Sequence, residues 1–201
     1  MSIVVTGATG KLGRLTVEAL LRRSVPADQI VATGRQVEKL ADLAARGVTV
    51  RRTDFADPAS LKTAFAGADK VLLVSSSEVG QRAAQHANAI EAAKDAAVSL
   101  LAYTSILKAD TSTLLLAPEH QQTEEFLAAS GLPHVLLRNG WYTENYTDQL
   151  PVYVEHGIAG AARDGKVSAA TRADFAEAAA AVLTGDGHAG RPTSSAARRS
   201  R

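Results

Sequence analysis

IVVTGATGKLGRL, residues 3–15, decides how the rest of the chain is read. Ile3, Val4, Val5 and Thr6 run into Gly7, Gly10 and Gly13, and a helical pattern begins at once. That order places a glycine-rich loop between a strand and an amphipathic helix, the setting in which such a loop cradles a diphosphate. Gly7 permits a sharp turn, Gly10 lets a diphosphate approach bare backbone, and Gly13 lets the helix sit close to the strand. The helix start offers unpaired N–H groups and a partial positive charge. Thr6 and Thr9 add hydroxyl donors. A purely structural turn needs just one of these glycines, so the loop is read as the grip of a dinucleotide.

Working outward, strand-like runs recur between helix-like ones. Residues 2–6, 29–34, 47–52, 70–76, 99–105 and 134–140 are short, rich in Val, Leu and Ile, and mostly continuous rather than alternating. Continuous apolar runs suit strands covered on both faces. In the first helical stretch Leu12, Leu15, Ala19 and Leu20 make a stripe, with Arg14, Glu18, Arg22 and Arg23 pointing away. A second, residues 81–97, carries Ala83, Ala87, Ile90 and Ala97 on the face expected to meet the sheet. Repeated strand–helix alternation predicts right-handed crossovers and an α/β fold with a doubly wound parallel sheet. The expected organisation is a dinucleotide-binding domain over 1–146, a partial lobe over 147–191 and a tail over 192–201. Thr171 and Asp174 are placed to cap an alanine-rich helix running to about Leu183.

Composition narrows the partners. Lys plus Arg number 22 against 21 for Asp plus Glu, so nothing favours a nucleic acid or membrane surface held by long-range attraction. The chain has no cysteine, which excludes disulfides, thiolate metal sites and a cysteine nucleophile. No cluster of His and carboxylates has metal-ligand spacing, so no metal is assigned. No apolar run approaches the roughly 20 residues that span a bilayer, and no basic leader precedes the first strand. A cytoplasmic protein is expected, and a homodimer is left open.

The second strand ends Thr33-Gly34-Arg35, with no acid before Glu38. An acid there would accept a ribose 2′-hydroxyl. Arg35 offers a guanidinium to a 2′-phosphate instead, which favours NADPH over NADH. Asp54, after the third strand, has two readings: a partner for the adenine edge or, like Asp57, a cap for the turn and helix at Pro58. Ser75, Ser76 and Ser77 end the fourth strand, either as cofactor contacts or as helix caps.

TGATGKLG, VATGR, VLLVSSSEVGQRAAQH, LLAYTSILKADTS and LLRNGWYTENY, in that order, resemble the NmrA-like atypical short-chain dehydrogenase/reductase family. Within it, they are similar to the flavin-free bacterial NAD(P)H:quinone oxidoreductases of type 2. The resemblance covers roughly residues 2–190. It implies an NADPH-binding Rossmann domain with a smaller lobe over the nicotinamide. By position, Gly7, Ala8, Thr9, Gly10, Lys11, Leu12 and Gly13 would hold the diphosphate, Arg35 the 2′-phosphate and Ser75 to Ser77 the middle of the cofactor. Arg138, Asn139, Gly140, Trp141 and Tyr142, with Asn145, would line the nicotinamide and quinone side.

Ordinary short-chain dehydrogenases use a Tyr with a Lys four residues on. Here the residues four after Tyr103, Tyr142, Tyr146 and Tyr153 are Leu107, Tyr146, Leu150 and Gly157. Related reductases carry a Lys in the helix before the last Rossmann strand, and His120 takes that slot, as a proton donor or as a satisfied helix histidine. Alcohol dehydrogenation is disfavoured. A quinone needs less help, because reduction yields an aromatic anion that water or a weak acid protonates. Placement against a flat acceptor is the main requirement. Trp141 and Tyr142 could supply a stacking wall, with Asn145 or Tyr103 donating to a carbonyl, whereas the plainer reading has Trp141 in the core. The reading is a small-molecule quinone reductase, against a nicotinamide-ratio sensor without turnover or an inactive fragment.

The last stretch, GRPTSSAARRSR, departs from the family's expected V-Y-E-L-A-G-D strand. The tail from Pro192 can be encoded CCT ACG AGC TCG GCG GCG AGG CGT TC, one choice among degenerate codons. Shifted by one nucleotide they read Tyr-Glu-Leu-Gly-Gly-Glu-Ala-Phe. The expectation is a reading-frame change near Pro192, a disordered tail and loss of most of the substrate lobe.

Overall fold

In the computed structural model, which describes residues 1–158, 165, 167–190 and 193–195, the opening stretch forms strand β1 (Ile3–Val5) and helix α1 (Lys11–Arg22). Chain order continues through β2 (Ile30–Gly34), α2 (Ala41–Ala45), β3 (Thr49–Arg52), α3 (Pro58–Phe65), β4 (Lys70–Leu73) and α4 (Arg82–Asp95). Then come β5 (Leu100–Ile106), α5 (Ala117–Ser130), β6 (His134–Asn139), β7 (Trp141–Tyr142), α6 (Glu144–Thr147) and α7 (Leu150–His156). The last elements are β8 (Ala169–Ala170), α8 (Arg172–Thr184) and β9 (Thr193–Ser195). The main sheet is parallel, in the order β3-β2-β1-β4-β5-β6-β9.

Both faces of that sheet are covered, which is why its inner strands read as unbroken apolar runs. Ile3, Val5, Ile30, Ala32, Leu72 and Ala102 turn to one core, with Val17 and Leu20 of α1 and Ala179, Ala180 and Leu183 of α8. Val4, Val31, Val71, Leu73, Leu101 and Tyr103 turn to the other, with Leu61 and Phe65 of α3, Ala89 and Ile90 of α4, and Leu127 of α5. Six strands lie where the sequence places them. The edge strand β3 ends on Arg51 and Arg52, and Arg51 caps carbonyls of residues 63, 64 and 66 beside α3.

Three expectations change. The buried face of α4 is turned from the predicted alanines: Arg82, Gln85, His86, Ala89, Ile90, Ala92 and Ala93 point inward, and Ala97 is exposed. Its first turn buries polar groups because the preceding loop needs partners for its amides. Helix α8, assigned to the partial lobe, belongs to the main domain, since its small apolar face packs on α1 and Glu177 pairs with Arg22 at 2.6 Å. The tail expected to be disordered contributes β9, with Thr193 opposite Leu137. Parallel pairing uses main-chain groups, so that position demands no particular side chain. Residues 191, 192 and 196–201, and most of what the reading-frame expectation concerned, lie outside the described residues.

Candidate active site

The cleft lies at the carboxyl ends of β1, β2, β3 and β4, where the sheet order reverses beside β1. Ligands of open α/β sheets bind at such a crossing point. About 310 Å³ of space is lined by Gly7, Thr9, Gly10, Lys11, Leu12 and Gly13 on one side. Gly7 turns with φ 61°, a left-handed conformation that favours glycine. A Cβ at Gly13 would stand 2.4 Å from the Gly7 carbonyl oxygen, so α1 sits directly on the loop. Gly10 is the N-cap of α1 and brings no capping side chain. The first-turn amides are therefore left to an external acceptor.

Two loop residues expected to contact the ligand, Thr6 and Ala8, are not among those lining the cleft. The fully buried Thr6 hydroxyl donates to the Leu72 carbonyl at 3.0 Å and accepts from the Val74 amide at 2.9 Å, tying β1 to β4. Ala8 is buried and its amide donates to the Thr33 carbonyl at 2.8 Å. Both pin the loop from behind. Thr9, by contrast, lines the cleft and fills the space above Gly34, whose own Cβ would lie 2.6 Å from Thr9 Cγ2.

At the other end stand Thr33, Arg35, Thr53, Asp54, Phe55, Glu78 and Gln85. The hydroxyls of Thr33 and Thr53 are buried without a hydrogen-bond partner. Orphaned buried hydroxyls beside a diphosphate loop fit a nucleoside that brings polar edges. Asp54 lines the cleft, and its Oδ1 accepts from the Ala56 amide at 3.0 Å, which caps the turn. Asp57 is simply the cap of α3, accepting from Ala59.

Sequence reasoning missed Thr33, Thr53, Phe55, Glu78 and Gln85. The signal available was position: Thr33 and Thr53 precede Gly34 and Asp54 at strand ends, and Glu78 follows the three serines. Glu78 Oε1 receives Arg35 Nη1 at 2.7 Å, and its Oε2 receives Gln85 Nε2 at 2.7 Å.

The serine loop lines the cleft middle and is held from beneath. The Ser75 amide donates to Thr104 Oγ1 at 2.8 Å, and the Ser76 amide to His86 Nε2 at 2.9 Å. With Nε2 accepting, His86 carries its proton on Nδ1 and donates to Thr123 Oγ1 at 3.0 Å. Arg82 Nε donates to the Ser76 carbonyl at 2.6 Å, its Nη1 pairs with Glu119 Oε2 at 2.9 Å, and Glu119 Oε1 accepts the Gly80 amide. Burial, then the neighbouring His120 and Arg82, pulls His86 down to about 3. It stays neutral.

The expected carbonyl donors are less available. Tyr103 is fully buried, and its hydroxyl shares a 2.6 Å hydrogen bond with His120 Nδ1. Burial pushes the Tyr103 hydroxyl well above its usual range, and burial and Arg82 pull His120 down to about 4. The two meet between β5 and α5, where each satisfies the other, and neither lines the cleft. Arg138 is committed to Glu124, at 3.0 and 2.6 Å through two donors. Asn139 donates to the Tyr142 hydroxyl at 3.5 Å. Gly140 admits the backbone of residue 168 so closely that a Cβ would lie 3.1 Å from its carbonyl oxygen. Asn145 Oδ1 accepts from Arg172 at 3.1 Å.

Trp141 is 45% exposed, not core, and tilts against Tyr146 at 6.3 Å between centroids. Tyr142 packs edge-on against Phe175 at 5.4 Å, with the Arg172 guanidinium 4.9 Å over its ring. Leu12 and Val74 join the Tyr142–Phe175 cluster and also line the cleft, so Tyr142 adjoins the cleft's end. Lys11, bonded to Asp148 at 2.7 Å, ties the two regions together. Among the described residues no group of His, Asp and Glu could hold a metal, and no helix is long and apolar enough to cross a membrane.

A family model described as NAD(P)H-binding matches residues 7–186. The chain is 56% identical to quinone oxidoreductase 2 of Escherichia coli (strain K12) over 94% of its length, and spans 66% of that protein. It is similar in structure to the Citrobacter sp. triphenylmethane reductase complexed with NADP(H), at TM-score 0.94 and 40% identity, over 99% of this chain and 71% of that one. An NADPH-dependent quinone oxidoreductase of E. coli complexed with NADPH gives TM-score 0.91 and 55% identity, over 95% and 68%.

Proposed function

Because the chain belongs to the NAD(P)H-binding family, we propose that it holds NADPH in this cleft and reduces a quinone with it. The uncapped start of α1 beside the orphaned Thr33 and Thr53 hydroxyls carries the reading. The first-turn amides of α1 hold the diphosphate, Arg35 meets the 2′-phosphate, and Ser75 to Ser77 border the central sugar. The reduced nicotinamide supplies the hydride when bound. Tyr142, which joins Leu12 and Val74 at the cleft's end, borders the planar acceptor there. Reduction delivers two electrons and leaves an aromatic oxyanion, which takes its proton from solvent. That route suits a site whose nearest Tyr–His pair is buried and committed.

The similarity to the E. coli quinone oxidoreductase supports the acceptor class. A second reading, a nucleotide-binding sensor without turnover, likewise needs no proton donor from the buried Tyr103–His120 pair. Following NADPH absorbance with a simple benzoquinone separates the two. Oxidation dependent on the protein supports the reductase, and tight NADPH binding with no oxidation rejects it. For cofactor choice, Arg35→Ala is expected to weaken NADPH at least about tenfold more than NADH, as loss of a charge-assisted phosphate contact does. Equal losses would remove Arg35 from the site.

A further inference from the structure

Arg35 is the residue that would read a 2′-phosphate, yet it is not waiting with an idle charge. Its side chain is 62% exposed and engages Glu78 through Nη1 alone, at 2.7 Å. Glu78 is 38% exposed and differently held. Both of its oxygens are used, one by Arg35 and one by Gln85 Nε2 at 2.7 Å. Its amide donates to Ser76 Oγ at 3.2 Å. The loop beneath it is fastened to His86, Arg82 and Glu119 by hydrogen bonds of 2.6 to 2.9 Å. Of the two partners, the arginine is free to swing and the carboxylate is fixed. An exposed pair of this kind contributes little to stability, so it opens at small cost.

We propose that Glu78 sets the choice between a 2′-phosphate and a 2′-hydroxyl by competing for Arg35 at the ribose end of the cleft. The proposal rests on the reading that the cleft holds a pyridine dinucleotide and names the residue that tunes it. A 2′-phosphate must draw Arg35 away from Glu78 and then sits beside a carboxylate that repels it. A nucleotide with a bare hydroxyl leaves the ion pair closed and meets an acceptor in the same carboxylate. Glu78 therefore narrows the preference that Arg35 alone would impose. The site is moderated toward accepting both reduced nucleotides.

Glu78→Gln tests this on the full chain, with 2′,5′-ADP and 5′-ADP as probes in titration calorimetry. The glutamine still accepts from Gln85 but carries no charge for Arg35. Its ratio of affinities for 2′,5′-ADP over 5′-ADP should rise about fivefold, the upper range for one exposed ion pair. The rise should shrink in high salt, which screens exposed charges. Glu78→Ala should move the ratio the same way, and thermal melting checks that both variants are folded. A ratio that stays within error of the wild type, or equal changes for both probes, overturns the proposal. A wild type that binds neither probe overturns the nucleotide reading itself. Quinone turnover plays no part in these measurements, so an absent reductase activity leaves the Glu78 result standing.

Discussion

Helices α1 and α8 pack against each other, yet their first turns are finished in opposite ways. At α8, Thr171 Oγ1 accepts from the Asp174 amide at 3.1 Å while Asp174 reaches back to the Thr171 amide at 3.1 Å. The sequence of α8 closes its own end. At α1 the N-cap is Gly10, with no side chain to offer, and Gly13 three residues on has none either. Capping residues stabilise a helix by about 1 kcal/mol, so their omission is a local cost. An end closed by its own side chains is structure, and an end left open against a cleft is a place for an anion. The serine loop is a third case: its amides are filled by buried partners such as His86, which keeps it still without leaving it available.

Four experiments press on that contrast, strongest first. Gly13→Ala puts a methyl 2.4 Å from the Gly7 carbonyl oxygen, where the neighbour is backbone and cannot step aside. It should lower unfolding free energy by about 3 kcal/mol in urea titration and remove nucleotide binding. Gly10→Asp gives α1 the kind of cap α8 already has. Gly10 sits at φ −96° and ψ 171°, which any residue adopts. A Cβ there lies 3.3 Å from the Gly7 carbonyl oxygen, a tight contact that offsets part of the cap's gain, while calorimetry should show NADPH affinity falling by about 100-fold or more as the carboxylate takes the phosphate's place. Binding retained within threefold would break the comparison. Thr171→Ala is the converse. It should cost about 1 kcal/mol in the same denaturation and leave NADPH affinity within twofold.

The mildest test is acidification. His86 and His120 are held neutral, at about 3 and about 4 against an ordinary 6.5. Between those values and 6.5 the unfolded chain binds protons that the native chain refuses, so stability is fully present above 6.5 and falls as pH drops. Between pH 7 and pH 6 each histidine should remove about 0.7 kcal/mol. Replacing His120 with Gln should flatten part of that slope in thermal melts. An unchanged slope would show that the histidines are not kept neutral.

Legibility in the sequence followed distance along the chain. The opening strand, the glycine loop and α1 were readable because Gly7, Gly10 and Gly13 act on one another within one turn, and the capping of α8 was readable for the same reason. The parallel sheet was readable because burial on both faces writes itself into each strand separately. The committed partners were not. Arg35 and Glu78 are 43 positions apart, and Thr6 spends its hydroxyl on residues 66 and 68 positions away. Tyr103 and His120 invited a chemical role by residue type, but they meet across β5 and α5, where the fold buries them. Residue type shows what a side chain can do. Packing decides whether it is at liberty to do it.

The fastened serine loop has a consequence for how the molecule ages or warms. The glycine side of the cleft comes from one short run of chain, whereas the opposite end is assembled from residues 33, 35, 53, 54, 78 and 85. Loosening the buried pegs under that loop would draw Glu78 away from Arg35 well before it disturbed the glycine side. On the role proposed for Glu78, a partly frayed molecule would then lean harder toward the phosphorylated nucleotide.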